Sequence, residues 1–218
     1  DLFLYPRTEG SIWGFEEEFV SAPRLDDLQC AFASLEGFLQ ADKKKNIAVH
    51  CVLDNEEVGS TTKQGAASTF LKDVLFRINL ALGGDQESYL MALAESFMIS
   101  ADNAHAVHPN YTEKADPTNR PYLNEGIVLK FNANQKYCTD AVSAAMFRDL
   151  CKRADVPVQT FTNRSDMAGG STLGNISNTQ VALNTVDIGL PQLAMHSPYE
   201  TAGVKDTEYL VRAAKEFF

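Results

Sequence analysis

Acidic residues and histidines stand at four places where an apolar segment ends. Leu53 closes the run NIAVHCVL, and Asp54-Asn55-Glu56-Glu57 follows at once. Ala101 closes FMISA and is followed by Asp102-Asn103-Ala104-His105. The segment Ala22-Pro23-Arg24-Leu25 leads into Asp26-Asp27, and Pro191 to Met195 leads into His196. In open α/β sheets, sites gather beyond the carboxyl ends of the strands. Each piece also has a plainer reading. Asp26 and Asp27 fit helix N-caps, Glu56 and Glu57 a solvated turn, His105 and His108 loop residues, and His196 a hydrogen-bonded core histidine. Together they are a costly collection of charge unless a cation offsets it. A two-cation hydrolase needs such an inventory: a bridging carboxylate, further Asp, Glu or His ligands, and a separate carboxylate to take a proton from a shared water. Adjacent glutamates in a tight turn suit that division, one binding metal and its neighbour holding the water proton.

Alternating elements must position these residues. Asp27 to Gln40 carries Leu28, Phe32, Leu35, Phe38 and Leu39 at helical spacing. A basic turn over Ala41 to Lys45 precedes Asn46 to Leu53, which reads as a strand buried on both faces, with His50 as a core histidine inside it. Thr61 to Leu82 reads as one long helix stopped by Gly83 and Gly84. Tyr89 to Ala101 begins helical and ends as a strand, and Pro109 to Pro121 is a long polar loop. Strands are expected over Gly126 to Asn132, Val156 to Thr162 and Thr185 to Gly189, a glycine-rich turn over Gly169 to Gly174, and helices over Thr139 to Ala154 and Asp206 to Phe218. This order implies an α/β class, a three-layer α/β/α domain with a mixed, mostly parallel central sheet.

Composition narrows the function. The chain has 218 residues, 44% hydrophobic and 22% charged, which is ordinary for a globular domain. A net charge of −10 argues against nucleic acid and anionic membranes as partners. No apolar run approaches the roughly 20 residues of a membrane helix, so a soluble, cytoplasmic protein is expected. Cys30, Cys51, Cys138 and Cys151 lie far apart and read as free core thiols of a reducing compartment. The chain opens with Asp1, so an upstream segment is expected to have been removed.

Six segments in order then carry a resemblance: SAPRLDDL (Ser21–Leu28), LDNEEVGS (Leu53–Ser60), SADNAHAVHPNY (Ser100–Tyr111), LKFNANQKYCTD (Leu129–Asp140), NRSDMAGGSTLG (Asn163–Gly174) and DIGLPQLAMHS (Asp187–Ser197). The chain resembles the M18 family of metallo-aminopeptidases, the aspartyl aminopeptidase group, most closely its bacterial branch. The resemblance implies a zinc-peptidase type of fold. It implies two divalent ions, zinc with cobalt or manganese able to substitute. Asp26 would be the bridging carboxylate, Glu57, Asp102 and His196 metal ligands, and Glu56 the general base. His105, Lys130 and Tyr137 match positions that contact substrate, Lys130 by pairing with an acidic side chain and Tyr137 by donating to a developing oxyanion. Ser165-Asp166-Met167 and Gly169-Gly170 read as a loop passing the site, where glycine lets backbone approach a ligand. GGSTLG is not a G-x-S-x-G nucleophile elbow, which sets a serine hydrolase aside.

The family also has a histidine in an early H-x-D segment and a dimerisation domain, and neither pattern occurs in these 218 residues. Residues 1–218 are therefore expected to be the C-terminal part of the metallopeptidase catalytic domain, with reduced metal occupancy. The expected function is removal of an acidic or neutral N-terminal residue from peptides, by an enzyme that is a homo-oligomer when intact. The alternative is a catalytically inactive part of such an enzyme that self-associates or binds partners. A related deacylase or carboxypeptidase ranks below both, because the six motifs follow the aminopeptidase order.

Overall fold

The computed structural model describes residues 2–42 and 46–218. Nine strands and six α-helices alternate along them: β1 (Ser11–Trp13), β2 (Phe19–Ala22), α1 (Leu25–Gln40), α2 (Phe70–Ala81), α3 (Gln86–Glu95), β3 (Phe97–Ala101), β4 (Ala104–His105), β5 (Ile127–Phe131), α4 (Ala141–Arg153), β6 (Val158–Thr162), α5 (Leu173–Ser177), β7 (Asn184–Gly189), β8 (Pro191–Leu193), β9 (Glu200–Gly203) and α6 (Val204–Phe217). The strands form two sheets, ordered β3-β7-β5-β6 and β1-β2-β9-β8-β4. In the first, β3 runs parallel to β7 and β5 parallel to β6, with one antiparallel pairing between β5 and β7. The α/β class and the mixed, mostly parallel central sheet are as the sequence implied. The second sheet, built from strands of two to four residues, is an addition to it.

Side-chain alternation along β5 explains the layers. Ile127 and Leu129 face a core closed by Cys30 and Ala33 of α1, Phe147 and Cys151 of α4, and Leu210 and Ala213 of α6. Val128 points to the other face, where it packs with Ala104, Tyr137 and Phe161. There α5 packs on β3 and β7. The α4 start is fixed by Asp140, which accepts the Ser143 N–H at 2.7 Å while the Ser143 hydroxyl accepts from the Asp140 N–H at 3.0 Å.

The two sheets share one ladder. The β3–β7 pairing continues through Asp102 N–H to the Ile188 carbonyl (3.1 Å), Ala104 N–H to Leu190 (2.8 Å) and Ala106 N–H to Gln192 (2.9 Å). Asp102 and Asn103 thus lie at the point where both strands pass from one sheet to the other.

Two expected elements differ. Residues 46–53 join neither sheet, and Ile47, Val49 and Val52 are exposed, so this run is not a buried strand. An apolar run becomes a strand only where a neighbour pairs with it. His50 is accordingly half-buried beside Phe38, with its Nε2 3.0 Å from the Ser34 hydroxyl. Cys51 is exposed and Cys138 half-buried, so only Cys30 and Cys151 are core thiols, and all four are free. The helix expected from Thr61 starts instead at Phe70. Residues 61–69 are turns, anchored by the Ala67 N–H on the Ser60 carbonyl, and the apolar periodicity begins only at Phe70. Lys43 to Lys45 of the basic turn lie outside the described residues. Among the described residues no helix is long and apolar enough to cross a membrane.

Asp206, in the first turn of α6, is fully buried and accepts the backbone N–H groups of Asn124 (2.6 Å) and Gly126 (3.0 Å). Burial pushes its pKa up to about 7, against the two N–H donors that lower it. The folded chain therefore holds a proton there that the unfolded chain releases. That contribution to stability is complete below the ordinary aspartate pKa and is lost as pH rises through 7. Asp206→Ala is expected to cost on the order of 1–3 kcal/mol for each N–H left unpaired. The deficit against wild type, read by urea unfolding, should be largest near pH 4 and shrink toward pH 7.

Candidate functional site

Four segments of the chain converge on one cluster. Asp26 and Asp27 lie in the first turn of α1, but not as caps. Their backbone leaves helical geometry (φ −85°, ψ 108° and φ −115°, ψ 26°), and the cap position belongs to Arg24 with φ 59°. The plain N-cap reading is thereby corrected. The peptide joining the two aspartates is cis. Glu56 and Glu57 occupy a single 3-10 turn, Glu56–Val58, bracketed by left-handed Asn55 (φ 60°) and Gly59 (φ 102°). Gly59 closes it by donating its N–H to the Glu56 carbonyl, a position where a side chain would be strained. Asp102 sits at the sheet-to-sheet crossing, and His196 (φ 67°) in the loop between β8 and β9.

The side chains meet. His196 Nε2 lies 3.2 Å from Asp26 Oδ2 and 2.9 Å from Glu57 Oε2. Asp26, Glu57 and His196 offer donor atoms within 4.8 Å of one another, and so do Asp26, Asp27 and Asp102. Asp26 belongs to both groups. Its side chain is 3% exposed, whereas His196 is 62% exposed, so the cluster has a buried floor and an open mouth. Oδ1 of Asp26 and Oδ1 of Asp27 are buried with no hydrogen-bond partner. Two orphaned acidic oxygens, with carboxylates and an imidazole around them, fit hard-to-borderline divalent cations such as zinc.

The electrostatics agree. The Asp26 pKa rises to about 9, first through burial, then through its hydrogen bond to Glu57 and repulsion from Asp102, Glu57 and Asp27. Burial, with Asp102, also pushes Asp27 well up. Glu56, half-buried, rises to about 7 through burial and then repulsion from Asp102 and Glu57. A cation would reverse each of these penalties.

Lys130 is the one buried cation among the described residues. Its Nζ donates to Asp102 Oδ2 (3.1 Å) and to the Asn103 carbonyl (2.8 Å), and lies 5.5 Å from the centre of the Tyr137 ring. Burial opposes its charge, but Asp102, Tyr137 and Asp187 outweigh that and hold its pKa above the ordinary lysine range. Tyr137 is buried against Phe161. His105 stands exposed at the end of β4, its pKa lowered by the surrounding protein and then by Lys130. The Ser165–Met167 loop is tied by Arg164 to Asp166 and to the Glu113 carbonyl of the long polar loop.

Three residues escaped the sequence reading. Asp27 was visible only as the neighbour of Asp26. Asn103, 2% exposed, donates to Gln29 (2.9 Å) and the Leu190 carbonyl (3.1 Å), fastening α1 to the crossing. Glu200, 2% exposed, accepts backbone N–H groups from Asp26 and His196. Asn103 lies in the SADNAHAVHPNY segment, but its partners, the Gln29 side chain and the Leu190 carbonyl, come from other elements; Glu200 acts on backbone N–H groups, which no side-chain motif marks.

Carboxylates and an imidazole gathered in one cluster of an α/β fold make a candidate divalent-cation site. The whole chain, residues 1–218, matches the model of the Aminopeptidase I zinc metalloprotease (M18) family, and it belongs to that family. A probable M18 family aminopeptidase 2 of Clostridium novyi is 55% identical over all 218 residues, which make up 50% of that protein. An M18 aminopeptidase structure from Thermotoga maritima superposes with a TM-score of 0.88 at 27% identity, covering 97% of this chain and 48% of that one. The S. cerevisiae mApe1 dodecamer superposes with a TM-score of 0.82 at 30% identity, covering 98% and 49%. The chain thus spans about half the length of the curated relatives it matches.

Replacing Lys130 with Met would leave Asp102 in the carboxylate cluster without its buried partner. Unfolding free energy in metal-free buffer is expected to fall by on the order of 3–5 kcal/mol, read by urea denaturation.

Proposed function

We propose that these residues serve a metal-dependent aminopeptidase, with this chain as the C-terminal part of its catalytic domain. The observation that carries the reading is the pair of donor groups sharing Asp26, with Glu56 beside them. Asp26 would bridge two divalent ions, Glu57 and His196 completing one site and Asp102, with Asp27 beside it, the other. Such ions, when bound, polarise a scissile carbonyl and acidify a water. The Glu56 carboxylate takes that water's proton and returns it to the nitrogen of the leaving amine. The free α-amino group of the substrate binds near the acidic cluster, which confines cleavage to N-termini. Tyr137 and His105 hydrogen-bond the peptide. Lys130 is assigned to holding Asp102, because its Nζ is already committed to Asp102 and Asn103. The choice between an acidic and a neutral first residue then rests on other groups. The dodecameric yeast relative supports a homo-oligomer.

A second reading follows from the half-length match and from the Asp26–Asp27–Asp102 group, which contains no histidine. In it, this chain by itself binds metal yet turns nothing over.

Zinc content per chain after loading and desalting tests the ligand set. His196→Ala is expected to lose one site, while Asp26→Ala, removing the shared carboxylate, loses both. Equal zinc in wild type and Asp26→Ala would refute the bridging role.

Hydrolysis of a peptide with a free N-terminus tests the chemistry. Wild type is expected to cleave it, to spare the N-blocked peptide, and to stop on chelation. Glu56→Gln should lose roughly 10²–10⁴-fold in turnover while keeping its zinc. Zinc bound without cleavage by wild type selects the second reading.

A further inference from the structure

Glu200 opens β9, opposite Ala22 in the β2–β9 register. Its side chain enters the protein beneath the metal-type cluster rather than joining it. Oε2 accepts the Asp26 N–H at 2.9 Å and Oε1 accepts the His196 N–H at 2.7 Å. One buried carboxylate therefore grips the backbone of two site residues that come from distant parts of the chain.

Regular structure does not hold either residue in place. Asp26 has left helical geometry at the start of α1, and His196 is left-handed (φ 67°) in a loop whose Ala194 is left-handed too (φ 58°). Each exposes an N–H that no helix or sheet ladder takes up, and Glu200 accepts both. The geometry points to Glu200 as a positioning residue that sets the separation of the Asp26 carboxylate and the His196 imidazole, and thereby the affinity of the site they form for a divalent cation. This rests on the metal reading proposed above. The side-chain contact of 3.2 Å between His196 Nε2 and Asp26 Oδ2 is the quantity that Glu200 controls. The role demands a carboxylate. Two N–H donors need two acceptor oxygens on a fork, whereas an amide offers one oxygen and turns an NH₂ donor against the second N–H.

Asp206 supplies the control. It too is a buried carboxylate accepting two backbone N–H groups, but it clamps Asn124 and Gly126 rather than the site. A merely structural role for Glu200 would make the two residues equivalent. Zinc affinity is measured by competition with a chelating dye, on wild type, Glu200→Gln and Asp206→Ala, each checked for fold by circular dichroism. Glu200→Gln is expected to bind zinc roughly 10–100-fold more weakly, and Asp206→Ala to bind it as wild type does despite lower stability. If Glu200→Gln does not fold, Glu200→Asp replaces it with the same expectation, since it keeps both acceptors but withdraws them by one methylene. Affinity in the Glu200 variant within about twofold of wild type, or an equal loss in Asp206→Ala, overturns the inference while leaving the metal reading intact. Wild type that binds no zinc overturns both.

Discussion

Repulsion among Asp26, Asp27, Glu56 and Asp102 is the constraint around which the rest of the molecule is arranged. Each carboxylate raises the cost of ionising its neighbours, and burial multiplies that cost because water is not there to screen it. Lys130 offsets part of it, by an ion pair to Asp102. The remainder must be met by protons or by cations. A site that strains toward protonation when empty is also one in which a divalent cation is held strongly, since both effects come from the same uncompensated negative charge. The buried, partnerless oxygens of Asp26 and Asp27 are the local sign of it.

The sheet crossing makes the crowding possible. As β3 and β7 pass into the second sheet, Asp102 donates its N–H to the Ile188 carbonyl and the Asn103 carbonyl accepts from Lys130. Gly189 lies at the same crossing. A Cβ there would stand 2.1 Å from the Asp102 carbonyl oxygen and 2.9 Å from Lys130 Cε. A side chain there would collide first with the backbone at Asp102 and then with the Lys130 stem, so the close approach of the strands at the crossing depends on a glycine.

Much of the central layer was legible in the sequence because its signals are local. The short apolar runs of β3, β5 and β7 report burial directly. The helical spacing along α1 gave the helix but not its buried face, which is Gln29, Cys30, Ala33 and Gly37, while Leu28, Phe32, Leu35 and Leu39 stay exposed. The second sheet was not legible: strands of two to four residues are too short to show a period of two. Residues 46–53 misled for the converse reason. An apolar run reports a wish to be buried, not the presence of a strand to pair with, and Cys51 and Val52 remain exposed. Of the candidate residues, Glu57, Asp102 after β3 and His196 after β8 are brought beside Asp26, although the run that precedes the glutamates is not a strand. Asn103 carried no role because its partners, the Gln29 side chain and the Leu190 carbonyl, come from other elements, and Glu200 because it acts on backbone N–H groups, which every sequence possesses.

Part of the acidic excess serves the backbone. Asp26, Glu57 and His196 stand on irregular backbone, and segments of this kind leave backbone N–H groups without ladder partners. Buried acids accept these groups: Glu200 beneath Asp26 and His196, Asp206 at the Asn124–Gly126 turn, and Asp187 beneath Cys138 and the Thr172 hydroxyl. These three acids are buried, whereas Glu57 at the mouth of the cluster is half exposed. The acidity of the chain is therefore partly architectural. Three of the 29 acidic residues, all buried, hold irregular segments in shape from inside the protein.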